Sequence, residues 1–246
     1  MLKLYHHPFS PESRFVRLAL GEYGIPFECQ TEYPWARRHD FLMMNPAGTL
    51  PVLKENDGPA VCGATVIMEY LDETRGYAIP NNRLLPDHPE ARAETRRLVA
   101  WFLQKFLAEV IGYIVQERIF KQEMPDSQGG GQPDSSVLRA ARINMVNHMR
   151  YIGYLAATRK WLAGDRLTFA DLAAASLLSC ADYLGEVPWS EDENVKSWYA
   201  RMKSRPSFRQ FWGTRCSGCQ QRRPTRISTS KTPIRHTADR KTGCAR

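Results

Sequence analysis

The stretch Leu50-Pro51-Val52-Leu53-Lys54-Glu55-Asn56-Asp57-Gly58-Pro59-Ala60-Val61 decides the fold. Leu50 to Lys54 and Ala60 to Val61 suit two short strands, and Asn56-Asp57-Gly58 between them is a hairpin signal, because Asn and Gly accept the positive φ of tight β-turns. Toward the N-terminus, Leu2 to Tyr5 reads as a strand and His6-His7-Pro8-Phe9-Ser10-Pro11 as a turn. Phe15, Val16, Leu18, Ala19 and Leu20 then follow a helical pattern, with Ser13 as N-cap and Gly24 at the end. Phe27 to Glu32 reads as a second strand. Beyond the hairpin, Thr65 to Thr74 reads as a helix with Val66, Ile67, Tyr70 and Leu71 on one face.

Past residue 90 only helical periods occur. Leu98, Trp101, Phe102, Phe106, Val110, Ile111, Ile114 and Val115 mark a long bundle helix from Pro89 to about Phe120. Pro125 to Pro133, with Gly129-Gly130-Gly131, breaks the pattern, and Ser136 to Leu162 forms a second long helix. Thr168 and Asp171 have the spacing of a reciprocal N-cap box. Leu172 to Cys180 is apolar nearly all round, which places that helix in the core. Asn194 to Lys203 is a last amphipathic helix. The expected organisation is an α/β domain over 1–80, a linker over 81–90, an all-α domain over 91–209 and a basic tail over 210–246.

Hydrophobic residues make up 43% and charged residues 24% of 246, enough for a packed core, which excludes a disordered or collagen-like chain. No apolar run reaches the ~18–20 residues that span a bilayer, so no membrane insertion is expected. Met1-Leu2-Lys3-Leu4-Tyr5-His6-His7 lacks the apolar core of a signal peptide, and the cytoplasm is the expected compartment. The net charge of +8 has one source: nine of the 34 Lys and Arg and one of the 26 acids lie in 214–246, leaving 25 of each before it. Attraction to polyanions is therefore an argument about the tail, and no nucleic-acid partner is expected for the body. Cys29, Cys62 and Cys180 are too scattered for a disulfide framework and read as buried small apolar residues. In the tail, Cys216-Ser217-Gly218-Cys219 is a lone CxxC. Shifted by one base, codons for Arg209 to Lys231 can encode a Pro-rich acidic peptide that ends in a stop, so the tail is expected to be a frameshift product.

Asn45-Pro46-Ala47-Gly48-Thr49-Leu50-Pro51-Val52-Leu53, Glu69-Tyr70-Leu71 and Gly164-Asp165 with Leu167-Thr168-Phe169-Ala170-Asp171 resemble motifs of the cytosolic glutathione transferases. The resemblance covers residues 1 to about 209. It implies a thioredoxin-like N-terminal domain, a C-terminal helical bundle and a homodimer, with Pro51 as a cis-proline. Trp35-Ala36-Arg37-Arg38, Leu98 to Phe102, Arg159 to Gly164, Val187-Pro188-Trp189 and Trp198 to Arg209 resemble a narrower branch, the transferase-like bacterial proteins that bind the division GTPase FtsZ. That branch implies FtsZ as partner and no working glutathione chemistry.

Glutathione transferases stabilise the thiolate of glutathione at the positive end of the first helix with a hydroxyl or thiol donor. By resemblance Ser10 and Ser13 are the catalytic candidates, and Leu50 and Pro51 offer backbone bonds to glutathione. The family's acid–serine pair, which holds the γ-glutamyl end, is replaced by Gly63 and Ala64. Each lost charge-assisted hydrogen bond costs about 1.5–3 kcal/mol, so binding should weaken by on the order of a hundredfold or more. Thr65 is the one neighbour that can replace part of this grip. No cofactor is expected, with glutathione as a weak ligand or substrate. Ser10 and Ser13 read equally well as turn and cap residues. His6-His7 has no matching ligand spacing, and no metal is expected. Trp35, Arg37 and Arg38 read as a patch for an acidic partner or as a solvated face, and Arg96 and Arg97 are further partner candidates. The leading reading is a non-catalytic FtsZ binder; the alternative is an active glutathione S-transferase for small electrophiles.

Overall fold

Burial alternates along the first strand, β1 (Leu2–His6): Leu2, Leu4 and His6 turn inward and Lys3 and Tyr5 do not, the period of two that a one-sided sheet requires. The computed structural model describes residues 1–79 and 83–213. A parallel neighbour needs a crossover, and α1 (Pro11–Glu22) supplies it before β2 (Glu28–Thr31). After a 3₁₀ turn at Pro34–Ala36 and the short α2 (His39–Met44), β3 (Val52–Glu55) pairs antiparallel with β1. β4 (Ala60–Cys62) returns along β3, giving the order β2-β1-β3-β4. The hairpin reading holds, and Asn56 takes φ 49°. α3 (Ala64–Thr74) closes this half.

Two local expectations are corrected. The cap of α1 is Ser10, whose Oγ accepts from Ser13 N at 3.1 Å, because Pro11 is preorganised for the first helical position and starts the helix early. On α3 the inward face is Ala64, Ile67, Met68 and Leu71, while Val66 is 56% exposed. Val66 lies about 100° round the helix from Ile67.

Among the described residues the C-terminal half has four long helices, α4 (Pro89–Glu123), α5 (Ser135–Thr158), α6 (Phe169–Leu184) and α7 (Glu193–Lys203), with 3₁₀ turns at Asp126–Gln128 and Pro206–Phe211. Along α4 the hydrogen-bond ladder widens to a π-helix at Trp101–Ile111 and Gln116–Phe120, an irregularity often found at functional sites. By length and composition α4 could cross a membrane, with mean hydropathy 1.6 over its most apolar window, where the sequence reading saw no such run. Half of that window is buried within the molecule, as in a core helix.

α6 is buried on every side and packs against α1, with Phe15 and Phe169 in edge contact at 6.0 Å. One apolar cluster therefore joins both halves. The capping box starts α6 as expected. Asp171 also accepts from Leu162 N (2.9 Å) and Trp198 Nε1 (3.0 Å), tying three segments together.

The described part of the segment expected as a linker, 83–90, is pinned: Leu84 and Leu85 are buried, Arg83 grips both oxygens of Asp72, and Phe169 N donates to Leu84 O. Gln210 and Phe211, placed at the start of the tail by the sequence reading, pack on α1. Arg17 donates to Gln210 Oε1 and O, and its guanidinium stacks on Phe211 at 4.8 Å. The basic run, the CxxC and all of the frameshift reading past Gly213 lie outside the described residues.

Candidate functional site

The N-terminus of α1 opens into a cavity of about 360 Å³ between the two halves. Ser10 and Glu12 line it from α1, Thr49 and Leu50 from the loop before β3, and Gln116 and Phe120 from α4. The π-helical stretches of α4 thus form its roof. The Leu50–Pro51 bond is cis. Beside the cavity His7 packs among Tyr33, Trp35 and Phe120, with ring centroids 4.9–5.8 Å away. His7 Nδ1 accepts from Phe9 N, so Nε2 carries the proton and donates to Glu123 Oε2 at 2.7 Å. This bond clamps the turn before α1 to the end of α4.

The two serines part company. Ser10 reaches the cavity; its Oγ already accepts from Ser13 N, which leaves its hydroxyl hydrogen free to donate. Ser13 is fully buried in the first turn, its Oγ has no hydrogen-bond partner among the described residues, and it does not line the cavity. As a catalytic candidate Ser13 is withdrawn, because the earlier helix start turns it inward.

Of the residues expected to meet glutathione, Leu50 is in the wall, and Pro51 O accepts from Gly63 N at 3.0 Å. Gly63 takes φ 92°, a conformation that strains any side chain, so the acid missing there could not be added without strain. Ala64 is buried and Thr65 is exposed, with no side-chain hydrogen bond at the start of α3. None of Gly63, Ala64 and Thr65 lines the cavity.

Glu12 was not singled out in the sequence, since an acid in the first turn of a helix is ordinary. In the structure its carboxyl is pushed up from 4.5 to about 7 by burial alone. No local sequence signal marks it, because α4 does the burying about a hundred residues later. Arg14 was likewise missed. It is buried, donates to Pro8 O and Ser179 Oγ at 2.8 Å each, and stacks on Phe9 and Phe211.

Among the described residues no group of three His, Cys, Asp or Glu could hold a metal. Burial and the nearby Arg17 push His6 down to about 3, so it is neutral. Burial raises the thiols of Cys29, Cys62 and Cys180, so none is poised as a thiolate. Cys180 is buried as expected; Cys29 is exposed and Cys62 half-buried, because they lie on β2 and β4, the two edge strands of the sheet.

The partner candidates also separate. Arg96 makes a two-bond pair with Glu69 (2.8 Å each), and Arg97 pairs with Glu94 and donates to Tyr151 OH. Arg38 pairs with Asp40 and lies 3.7 Å from Glu32. Their charges are neutralised within the chain. Arg37 is exposed, with no ion pair among the described residues, and caps the turn that holds Trp35. Trp35 is half-buried against Tyr33 and Phe120. No hydrogen bond, ion pair or ring contact among the described residues joins the Trp35–Arg38 group to Arg96 and Arg97.

Comparison with known proteins supplies the kinship. The glutathione S-transferase N-terminal domain matches residues 4–81 and the C-terminal domain residues 86–206. FtsZ-localized protein A of Caulobacter vibrioides is 42% identical over 219 residues, 87% of this chain and 92% of that protein. A glutathione S-transferase from Sinorhizobium meliloti has a crystal structure with TM-score 0.87 and 55% identity, covering 89% of this chain and 94% of that one. The structure of FzlA from C. crescentus has TM-score 0.82 and 39% identity, covering 90% and 96%. With both domains matched and the motifs around Pro51 and Asp171 in place, the chain belongs to the glutathione S-transferase family.

Proposed function

We propose that this protein acts by binding: a transferase-fold homodimer that associates with FtsZ filaments in the cytoplasm, at the division site. The 42% identity to FtsZ-localized protein A across nearly the whole of both chains carries the reading. The loss of the acid and serine at Gly63 and Ala64 supports a site released from glutathione chemistry. Trp35 and Arg37 are the proposed contacts, because Arg37 is the member of the candidate set whose charge is not already paired among the described residues. Co-sedimentation with polymerised FtsZ tests this. The full chain should pellet with polymer, and Arg37→Glu should weaken binding about fivefold or more, the loss of roughly 1 kcal/mol typical of an interface charge. A chain that stays in the supernatant sinks the reading, and an unaffected Arg37→Glu variant sinks the surface.

A second reading, an active transferase using Ser10, is favoured by the free hydroxyl hydrogen at the cavity and by the 55% identity to the S. meliloti transferase. Calorimetry with glutathione separates the two. The non-catalytic reading expects no heat below millimolar glutathione. Ala64→Ser should then tighten binding about tenfold by returning one hydrogen bond. Micromolar binding by the unmodified chain would put the transferase reading first.

A further inference from the structure

The end of α1 has lost most of what makes a helix N-terminus attractive to an anion. Ser10 N donates to His7 O at 3.0 Å, Pro11 has no N–H, and Ser13 N is taken by Ser10 Oγ at 3.1 Å. Only the N–H of Glu12 remains, and it belongs to the residue that brings a full negative charge. A helix end is worth about half a positive charge, so an ionised Glu12 reverses its sign.

Glu12 is also alone. Among the described residues lining the cavity it is the one ionisable side chain, and it makes no hydrogen bond or ion pair. The Pro34 turn and the Gly48–Leu50 loop bring no charge to the wall. From α4, Glu117 pairs with Lys121, Arg118 with Glu186, and Glu123 with His7. From α1 itself, Arg14 and Arg17 turn to Ser179 and Gln210. The other side chains of the wall carry no charge: the hydroxyls of Ser10 and Thr49, the amide of Gln116, and apolar Leu107, Val115 and Phe120.

We propose that this cavity is a cation-selective pocket, taking a primary amine on a small aromatic or alkyl body with Glu12 as counter-ion, and disfavouring thiolates and other anions. The ammonium would meet the Glu12 carboxylate beside Ser10 Oγ, and the body would lie against Phe120 and Leu107. About 360 Å³ accommodates a group the size of a benzyl amine. Burial pushes Glu12 up to about 7, which makes the preference strengthen with pH as the carboxylate ionises. This goes beyond filament binding and does not depend on it.

The test is calorimetry of the full chain with benzylamine, benzyl alcohol as its neutral isostere, and glutathione, at pH 6 and pH 8. Benzylamine should bind at least tenfold tighter than benzyl alcohol at pH 8, and about tenfold tighter at pH 8 than at pH 6, following the ionised fraction of Glu12. Glu12→Gln should remove both differences, and Glu12→Asp, which keeps the charge, should retain them in part. Glutathione should bind no better at pH 8 than at pH 6. Equal binding of amine and alcohol, amine binding that survives Glu12→Gln, or no amine binding at millimolar concentration would each overturn the proposal.

Discussion

Asp171→Ala is expected to lower the stability of the chain by about 4 kcal/mol, enough to unfold much of it at ordinary temperature. The carboxylate is wholly buried and accepts four bonds: Leu162 N and Trp198 Nε1 on Oδ1, Thr168 N and Thr168 Oγ1 on Oδ2. Burial pushes its carboxyl above the usual range, and these donors oppose that push. Removing it strands four donors where water cannot reach, each costing about 1–3 kcal/mol before relaxation. The damage should spread, because α6 carries Ser179, which holds Arg14, and Cys180, which donates to Phe9 O. Both contacts support the turn that places Ser10 and Glu12. Urea denaturation measures the effect, and Asp171→Asn, which keeps one acceptor oxygen, should lose roughly half as much. A loss below about 1 kcal/mol for alanine would mean that the box is not the organising contact of the helical half.

The second large effect is opposite in sign. Glu12→Gln should stabilise the protein at pH 8 and leave it unchanged at pH 4. The folded chain holds the Glu12 proton more tightly than the unfolded chain, whose group titrates near 4.5 against about 7 when folded. Wild-type stability therefore falls as pH rises from about 4.5 through about 7 and stays lower above that. The full shift corresponds to about 3 kcal/mol, and solvent access to this half-buried group reduces the expected gain to about 1–2 kcal/mol. Paired urea titrations of the two proteins at pH 4 and pH 8 give the answer. A gain of equal size at both pH values would show that charge burial is not its cause. Carrying a group that costs stability at neutral pH is what a functional pocket, and not a packing site, would do.

Much of the architecture was legible because it is locally encoded. The Asn56-Asp57-Gly58 turn, the Thr168–Asp171 spacing and the apolar stripe from Leu98 to Val115 each specify their element within one or a few turns of chain. The missed start of α1 is also local: Ser10-Pro11 is a better beginning than Ser13, and Pro11 signals it once the first-position preference is applied. The candidate site was less legible. Ser10, Leu50 and Pro51 could be placed by motif, as could the vacancies at Gly63 and Ala64. Glu12 could not, because its neighbours Leu107, Gln116 and Phe120 reach it only through the packing of α4 over α1.

The arginines show the same division. Arg37, Arg38, Arg96 and Arg97 look equivalent as cations in the sequence. Arg96 is neutralised by Glu69, 27 positions earlier, and Arg97 shares Glu94 with Arg159, 65 positions beyond that acid, while Arg37 has no such partner among the described residues. The sequence by itself determined the order of strands and helices, the capping of α6 and the neutral body, since these depend on residue type and short spacing, while the vacancy at Gly63 and Ala64 followed from the resemblance to the family's motif. Only the tertiary structure decided which hydroxyl faces the cavity, which charges remain unpaired and which carboxylate is buried without a partner. Burial and charge pairing are sums over neighbours in space, and those neighbours lie tens to hundreds of residues apart along the chain.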